Sequence, residues 1–171
     1  AAGKQLATAT TSQSTEGQAR RDFTNRLTLD NPMLWDGRKS PYLYRVFVEL
    51  KRGKEVLDTL SQYVGLRSFR VDAEKGFILN GKPYKIKGVN RHQDRPDKGW
   101  AISSADHRED MSLIKEIGAN GLRLAQYPHS DEFYALCDRE GKLVWDEIPI
   151  VGKALAAPGF TGSMGPDLTE L

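Results

Sequence analysis

One cysteine, Cys137, among 171 residues leaves no partner for an intrachain disulfide and no thiolate cluster to hold a metal. It falls in a helix-like stretch, where a buried thiol is the plain reading. Histidine is scarce too, with three. His92, His107 and His129 are too far apart in sequence to form the helical pair of an HExxH metalloprotease. No G-x-S-x-G elbow for a serine nucleophile is present, and "GKPYKIKG" holds Gly and Lys without the spacing of a phosphate-binding loop. No apolar run approaches the roughly 20 residues needed to cross a bilayer, so no membrane partner is expected. "AAGKQLATATTSQ" also lacks the apolar stretch of a signal peptide. Charge of one sign is missing too. With 25 basic and 23 acidic residues and a net +2, no basic block supplies the electrostatic footprint of a nucleic-acid binder. What remains, 39% hydrophobic and 28% charged, suits a soluble globular protein of one domain or two small ones.

Composition and period change near residue 76. Before it, "RDFTNRLTL" puts Phe23, Leu27 and Leu29 on one face, and "YLYRVFVEL" alternates Tyr42, Tyr44, Val46 and Val48 against Leu43, Phe47 and Glu49. Both patterns are strand-like. Gly53 stands where a hairpin would turn, and "EVLDTLSQYVGLRSFRVD" returns as one or two further strands. Antiparallel strands at short spacing with no helix between them predict a β-sandwich over 1–75, although a complete immunoglobulin-type sandwich uses about 100 residues.

After residue 76 the pattern becomes strand, helix, strand, helix, strand. "FILNGKPYKIKGV" reads as a hairpin around Asn80-Gly81 followed by a strand from Tyr84 to Val89. Ser104 can cap a helix in which Met111, Ile114 and Ile117 share a face, with Gly118 at its end. "GLRLA" is the next strand. Ser130 can cap a second helix, acidic in its first turn through Asp131 and Glu132, with Phe133, Leu136 and Cys137 inward and Gly141 at the stop. "KLVWDEIP" closes the series. This order predicts a parallel sheet with helical crossovers.

In parallel sheets and barrels, ligands bind at the carboxyl ends of the strands. Each such end here is polar: "NRHQD", then "RLAQYPH", then "DE". Every residue also has a plainer reading. Arg91 and Arg123 could be structural ion-pair donors; His92 and His129 could be surface or satisfied core histidines; Asp146 and Glu147 could cap a following segment; Tyr127 and Trp145 could be core aromatics with a polar tip. Recurrence at the same end of three successive strands favours a site.

"NPMLWDGRKSPYLYRVFVEL", "GLRSFRVD", "FILNGKPYKIKGVNRHQDR" and "GANGLRLAQYPHSDEFYALCDREGKLVWDEIP" together resemble glycoside hydrolase family 2, the family of β-galactosidases, β-glucuronidases and β-mannosidases. The likeness runs from about Leu27 to Ile150, and "GVNRHQDRPDKGWA" looks most like bacterial β-galactosidases. The resemblance implies a jelly-roll domain, an immunoglobulin-like sandwich and a TIM barrel that carries the active site. This chain would hold the end of the sandwich (1–75) and the first strand-helix units of the (β/α)8 barrel (76–171). The implied chemistry is retaining hydrolysis of terminal β-linked sugars, most like β-galactosides, by two Glu about 5 to 5.5 Å apart. The family's acid/base stands in an Asn-Glu pair on a later strand, so the resemblance places both catalytic glutamates beyond Leu171 and predicts an inactive fragment.

The resemblance assigns Arg91, His92 and Asp94 to the first-strand motif, with Asp94 accepting from sugar hydroxyls. Arg123 would orient the nucleophilic carboxylate. Gln126 stands where the family's Arg-x-x-His-Tyr-Pro has histidine, followed by Tyr127, while Asp146 and Glu147 match the third-strand acidic pair. Positions that ligate magnesium in some β-galactosidases are Val151 and Lys153 here, so no metal and no cofactor is expected. The implied partners are a carbohydrate substrate and the remainder of the barrel, with homo-oligomers open; the implied setting is that of a soluble bacterial cytoplasmic or periplasmic enzyme. A stand-alone carbohydrate-binding or interaction module is the alternative.

Overall fold

The computed structural model describes residues 3–14, 17 and 20–149. Contacts divide the chain into two units, Ala1–Met33 and Leu34–Leu171. In the first, the strand expected at "RDFTNRLTL" does not form. Thr11 Oγ1 donates to the Thr24 carbonyl and to Asn25 Oδ1, and Gln13 Nε2 to the Asp22 carbonyl. These side-chain bonds stand where a ladder would need a partner strand, and Phe23 and Leu27 stay exposed. Alternation without a face to bury against does not make a strand.

The second unit opens with a 3-10 turn at Gly37–Lys39 and a long hairpin, β1 (Tyr44–Arg52) with β2 (Glu55–Val64). The ladder is antiparallel with an irregularity at Leu50/Lys51, and Gly53 turns it at a φ of 61°. Phe47, Val48, Leu50, Leu57 and Leu60 are exposed, so both faces of this two-stranded sheet meet solvent. The hairpin therefore forms no sandwich by itself. A second antiparallel sheet comprises β3 (Phe69–Asp72), β4 (Gly76–Leu79) and β5 (Lys82–Pro83). Asp72 Oδ1 accepts from the Glu74 and Lys75 N–H groups in the first turn. Asn80 and Gly81, with φ of 48° and 79°, make the second, the pair of positive values that a type I′ hairpin turn requires. The composition change at residue 76 thus lies inside a paired hairpin, Asp72 opposite Gly76.

The parallel sheet expected from the second half is present: β6 (Gly88–Arg91), β7 (Gly121–Leu124) and β8 (Leu143–Asp146), in that spatial order. The first of these starts later than the expected Tyr84. Asn120 explains the delay: its amide bonds the Lys85 carbonyl and the Lys87 N–H, so of these groups only the Lys87 carbonyl is left to accept from the backbone N–H groups of Asn120 and Gly121.

Two helices, α1 (Ser104–Glu116) and α2 (Asp131–Arg139), cover one face of that sheet. The cap of α1 is Ser103, not Ser104. Ser103 and Asp106 make a reciprocal capping box, and the Ser103 N–H and hydroxyl both donate to Asp106 Oδ2. Ile117, expected inward, is 66% exposed because the helix has already ended there. Ser130 caps α2 as expected. Met111, Ile114, Ala119, Leu122, Leu124, Phe133 and Cys137 form the core between helices and sheet. Among the described residues no helix is long and apolar enough to cross a membrane.

Candidate functional site

Strand alternation sorts the polar strand ends into two faces. In register, Arg91 pairs with Leu124 and Leu124 with Asp146; one step back, Asn90 pairs with Arg123 and Arg123 with Trp145. Leu124 is buried under the helices with Arg91 beside it, and Asp146, itself exposed, lies on the same face. Asn90, Arg123 and Trp145 are exposed on the opposite face.

Arg91 therefore turns away from the strand-end site proposed for it in the sequence. Its guanidinium, 5% exposed, bonds Asp110 Oδ2 through Nε and Nη2 at 3.0 and 2.8 Å. Nη1 reaches His129 Nδ1 and Nη2 reaches His107 Nδ1, each at 3.0 Å, while its Cζ lies 3.8 Å from the Phe133 ring centre. A guanidinium can only donate, so both histidines accept at Nδ1 and are neutral. Burial, then the Arg91 charge, holds both imidazoles below their ordinary 6.5. The plainer reading of Arg91 as a structural ion-pair donor is the one its contacts support. Asp146 shares that row. Its Oδ2 accepts from the Tyr134 hydroxyl of α2 at 2.8 Å, and burial together with this bond pushes the phenol up to about 12.

The other face gathers a different constellation. Arg123 grips Glu147 with a fork, Nε to Oε1 at 2.8 Å and Nη2 to Oε2 at 3.0 Å, and the Gln126 N–H donates to Oε2 at 2.7 Å. Gln126 adopts a φ of 73°, a left-handed conformation costly for a residue with a Cβ. That conformation aims its N–H at the carboxylate. The Gln126 bond first, and Arg123 next, hold Glu147 below the usual carboxylate range. Gln126 thus contributes its peptide rather than the side chain singled out in the sequence.

Tyr127 follows, its hydroxyl accepting from the Gln93 N–H at 3.2 Å and its ring 4.8 Å from that of Trp100. His92 and Asp94 are exposed in the β6–α1 loop. His92 lies near enough to Glu147 to favour its charged form. Of the eight residues selected from sequence, Arg123, Gln126 and Glu147 are joined directly, Tyr127 and His92 flank them, Asp94 stands in the same loop cluster, and Arg91 and Asp146 face the helices. Asn90, Trp145 and Trp100 were not selected. The registers of β6 and β8 on β7 were the missing signal for the first two. Val151 and Lys153 lie outside the described residues.

A fixed arginine-carboxylate fork at the carboxyl end of a parallel sheet can hold a further carboxylate or a sugar hydroxyl in a defined orientation. Comparison with known proteins agrees with that setting. The profile described as "Glycosyl hydrolases family 2, TIM barrel domain" matches residues 69–166, and that described as "Glycosyl hydrolases family 2" matches residues 1–67. A β-glucuronidase of Bacteroides fragilis is 42% identical over 126 residues, which are 74% of this chain and 18% of that protein. A β-galactosidase of Bacteroides ovatus is 38% identical over 147 residues, 86% of this chain and 17% of that protein. The crystal structure of a Bacteroides uniformis β-glucuronidase superposes with a TM-score of 0.71 at 42% identity, covering 81% of this chain and 17% of that one. The chain thus spans less than a fifth of the length of these relatives. With a family profile across more than half its length and the parallel sheet that profile entails, the chain belongs to glycosyl hydrolase family 2.

Proposed function

We propose that this chain is the part of a retaining β-glycosidase that begins the barrel and supplies sugar contacts and nucleophile support, with terminal β-galactosides as substrate. The carrying observation is the Arg123 fork on Glu147, completed by the Gln126 N–H, on the ligand-binding end of a parallel sheet. In this reading Arg123, already aimed by Glu147, orients a catalytic carboxylate supplied by another strand and keeps it ionised. Asp94 and His92, exposed beside it, bond sugar hydroxyls; Asp94 can accept two strong hydrogen bonds from vicinal hydroxyls. Residues 1–75 serve as the end of an immunoglobulin-like sandwich and residues 76–171 as the start of the barrel. A β-glucuronide is the second reading, favoured by relatives of 42% identity that bear that name.

Retaining hydrolysis needs two carboxyl groups about 5 to 5.5 Å apart flanking one glycosidic bond. Asp146 is engaged by Tyr134 on the helix side and Glu147 by Arg123, so the pair is not free to act together. The test is an assay of the intact polypeptide that contains this chain, and of the 171-residue chain alone, with chromogenic β-galactoside and β-glucuronide. Turnover by the intact polypeptide and none by the chain is the expected result. No turnover of either sugar by the intact polypeptide would return the stand-alone binding module. Turnover by the chain alone that Glu147→Gln abolishes would make the third parallel strand catalytic.

A further inference from the structure

The β6–α1 loop carries an indole for which the reading above has no use. Trp100 is 67% exposed, yet its loop and one neighbouring ring hold it in place. An Arg95–Gly99 bridge closes the loop, and the Trp100 carbonyl accepts from the Ile102 N–H at 2.8 Å. Arg95 is clamped by Glu109 at 2.7 Å and Asp110 at 2.6 Å, and Lys98 by Asp106 at 2.9 Å, so three acids of α1 hold the loop down. The indole leans on Tyr127 at 4.8 Å with a tilt of 41°, and Tyr127 leans on His129 at 5.2 Å. An aromatic held in advance loses little freedom when a ligand arrives, which is what separates a binding anchor from a stray surface ring.

The location narrows the ligand. Trp100 follows β6 and Tyr127 follows β7, so both rings stand at the carboxyl end of the sheet, beside Asp94, Gln126 and Glu147. A β-pyranoside offers two kinds of surface. Its axial C–H bonds at C1, C3 and C5 make one face apolar, while its hydroxyls radiate around the rim. An indole face matches the first and carboxylates and amides match the second. We propose that Trp100, backed by Tyr127, is a stacking platform for one pyranose ring of the substrate. The proposal deepens the glycosidase reading and rests on it. The ring is either the terminal sugar or the sugar that leaves, and the stacking chemistry is shared.

The test is to follow the three indole N–H signals of the 171-residue chain by NMR while adding methyl β-galactopyranoside, methyl β-glucuronide or lactose. Trp35 is 1% exposed and bonded to the Asp138 carbonyl, so its signal reports the fold and stays in place. The expected result is a saturable shift of the Trp100 signal; in Trp100→Tyr, where that indole signal is gone, the new tyrosine ring signal shifts in its place, and in Trp100→Ala the response is lost. A shift with the methyl glycosides assigns the terminal sugar; a shift with lactose alone assigns the leaving one. No shift of Trp100 with any of the three, or a shift confined to Trp145, overturns the platform. Turnover by the intact polypeptide is scored separately, so an inactive polypeptide whose Trp100 still responds would sink the glycosidase reading and leave the sugar platform standing.

Discussion

Arg91 and Arg123 end neighbouring strands, one register step apart, and live in opposite surroundings. Arg91 is sealed beneath two helices with an acid, two neutral imidazoles and a phenyl ring. Arg123 is 43% exposed and meets one carboxylate and the peptide that shares it. One step of register converts the same side chain from a piece of the core into a piece of the site, since alternate residues of a strand face opposite ways. The contrast predicts that the two arginines fail differently when removed.

Arg91→Met should have the largest effect. Removing the buried guanidinium leaves Asp110 Oδ2 and the two imidazole Nδ1 atoms without their donor, with Asp110 held by Arg95 alone, and costs about 3–5 kcal/mol, read as a lower urea midpoint. Arg91→Lys should rescue little, because an ammonium cannot make the fork to Asp110 and reach both imidazoles. A midpoint unchanged by either variant would erase the distinction between the two regions.

At Arg123 the loss should appear in rate instead. If the proposed function holds, Arg123→Ala and Glu147→Gln in the intact polypeptide should lower kcat about 10²- to 10³-fold, the scale of a lost transition-state contact, while the urea midpoint barely moves, as for a pair open to solvent. Asp94→Ala should lower kcat about 30- to 1,000-fold on the same grounds. A variant at Arg123 that unfolds the protein but turns over normally when folded would make it a second Arg91.

The two regions should also answer to different pH. His107 and His129 have folded pKa values below 6.5, so between those values and 6.5 the unfolded chain binds protons that the folded chain refuses. Their contribution is complete above about pH 6.5 and is lost as pH falls below it. Glu147 is depressed below its ordinary 4.5, so its contribution is present above that value and is lost only as pH falls through the lower folded value. Urea midpoints taken from pH 7.5 to 3 should thus decline in a first stage below about 6.5 and a much smaller second one below 4.5, and His107→Gln with His129→Gln should flatten the first. A first stage that survives both substitutions would move its origin elsewhere. The smallest effect is at Gln126. Gln126→Gly relieves the left-handed strain and should stabilise by about 1 kcal/mol or less, with the fork on Glu147 kept. Loss of turnover there would give the glutamine side chain a role that its backbone does not explain.

Much of this division could be read in advance, and its limits are physical. The helix and strand order of the second half, Ser130 as a cap, and the Asn80-Gly81 turn all follow from local chemistry, since caps and positive-φ turns are decided within a few residues. The two arginines could not be told apart, because that requires knowing that β6 begins at Gly88, and its start is set by Asn120, more than thirty residues later. "RDFTNRLTL" has the alternation of a strand and lacks a described partner. His107 was not singled out in the sequence, because only the fold brings Arg91 against it. The left-handed peptide at Gln126 leaves no mark in residue type.

Asp110 spends its two oxygens on different tasks, Oδ2 on Arg91 in the core and Oδ1 on Arg95 in the loop. For anyone wishing to graft new loops onto this scaffold, that single carboxylate means the stretch after β6 is not an interchangeable cassette. A transplanted loop without an arginine at position 95 would free one oxygen of an acid that the core depends on, and a scaffold altered at position 110 would release the loop and the core together. Loop and barrel floor would have to be exchanged as one part.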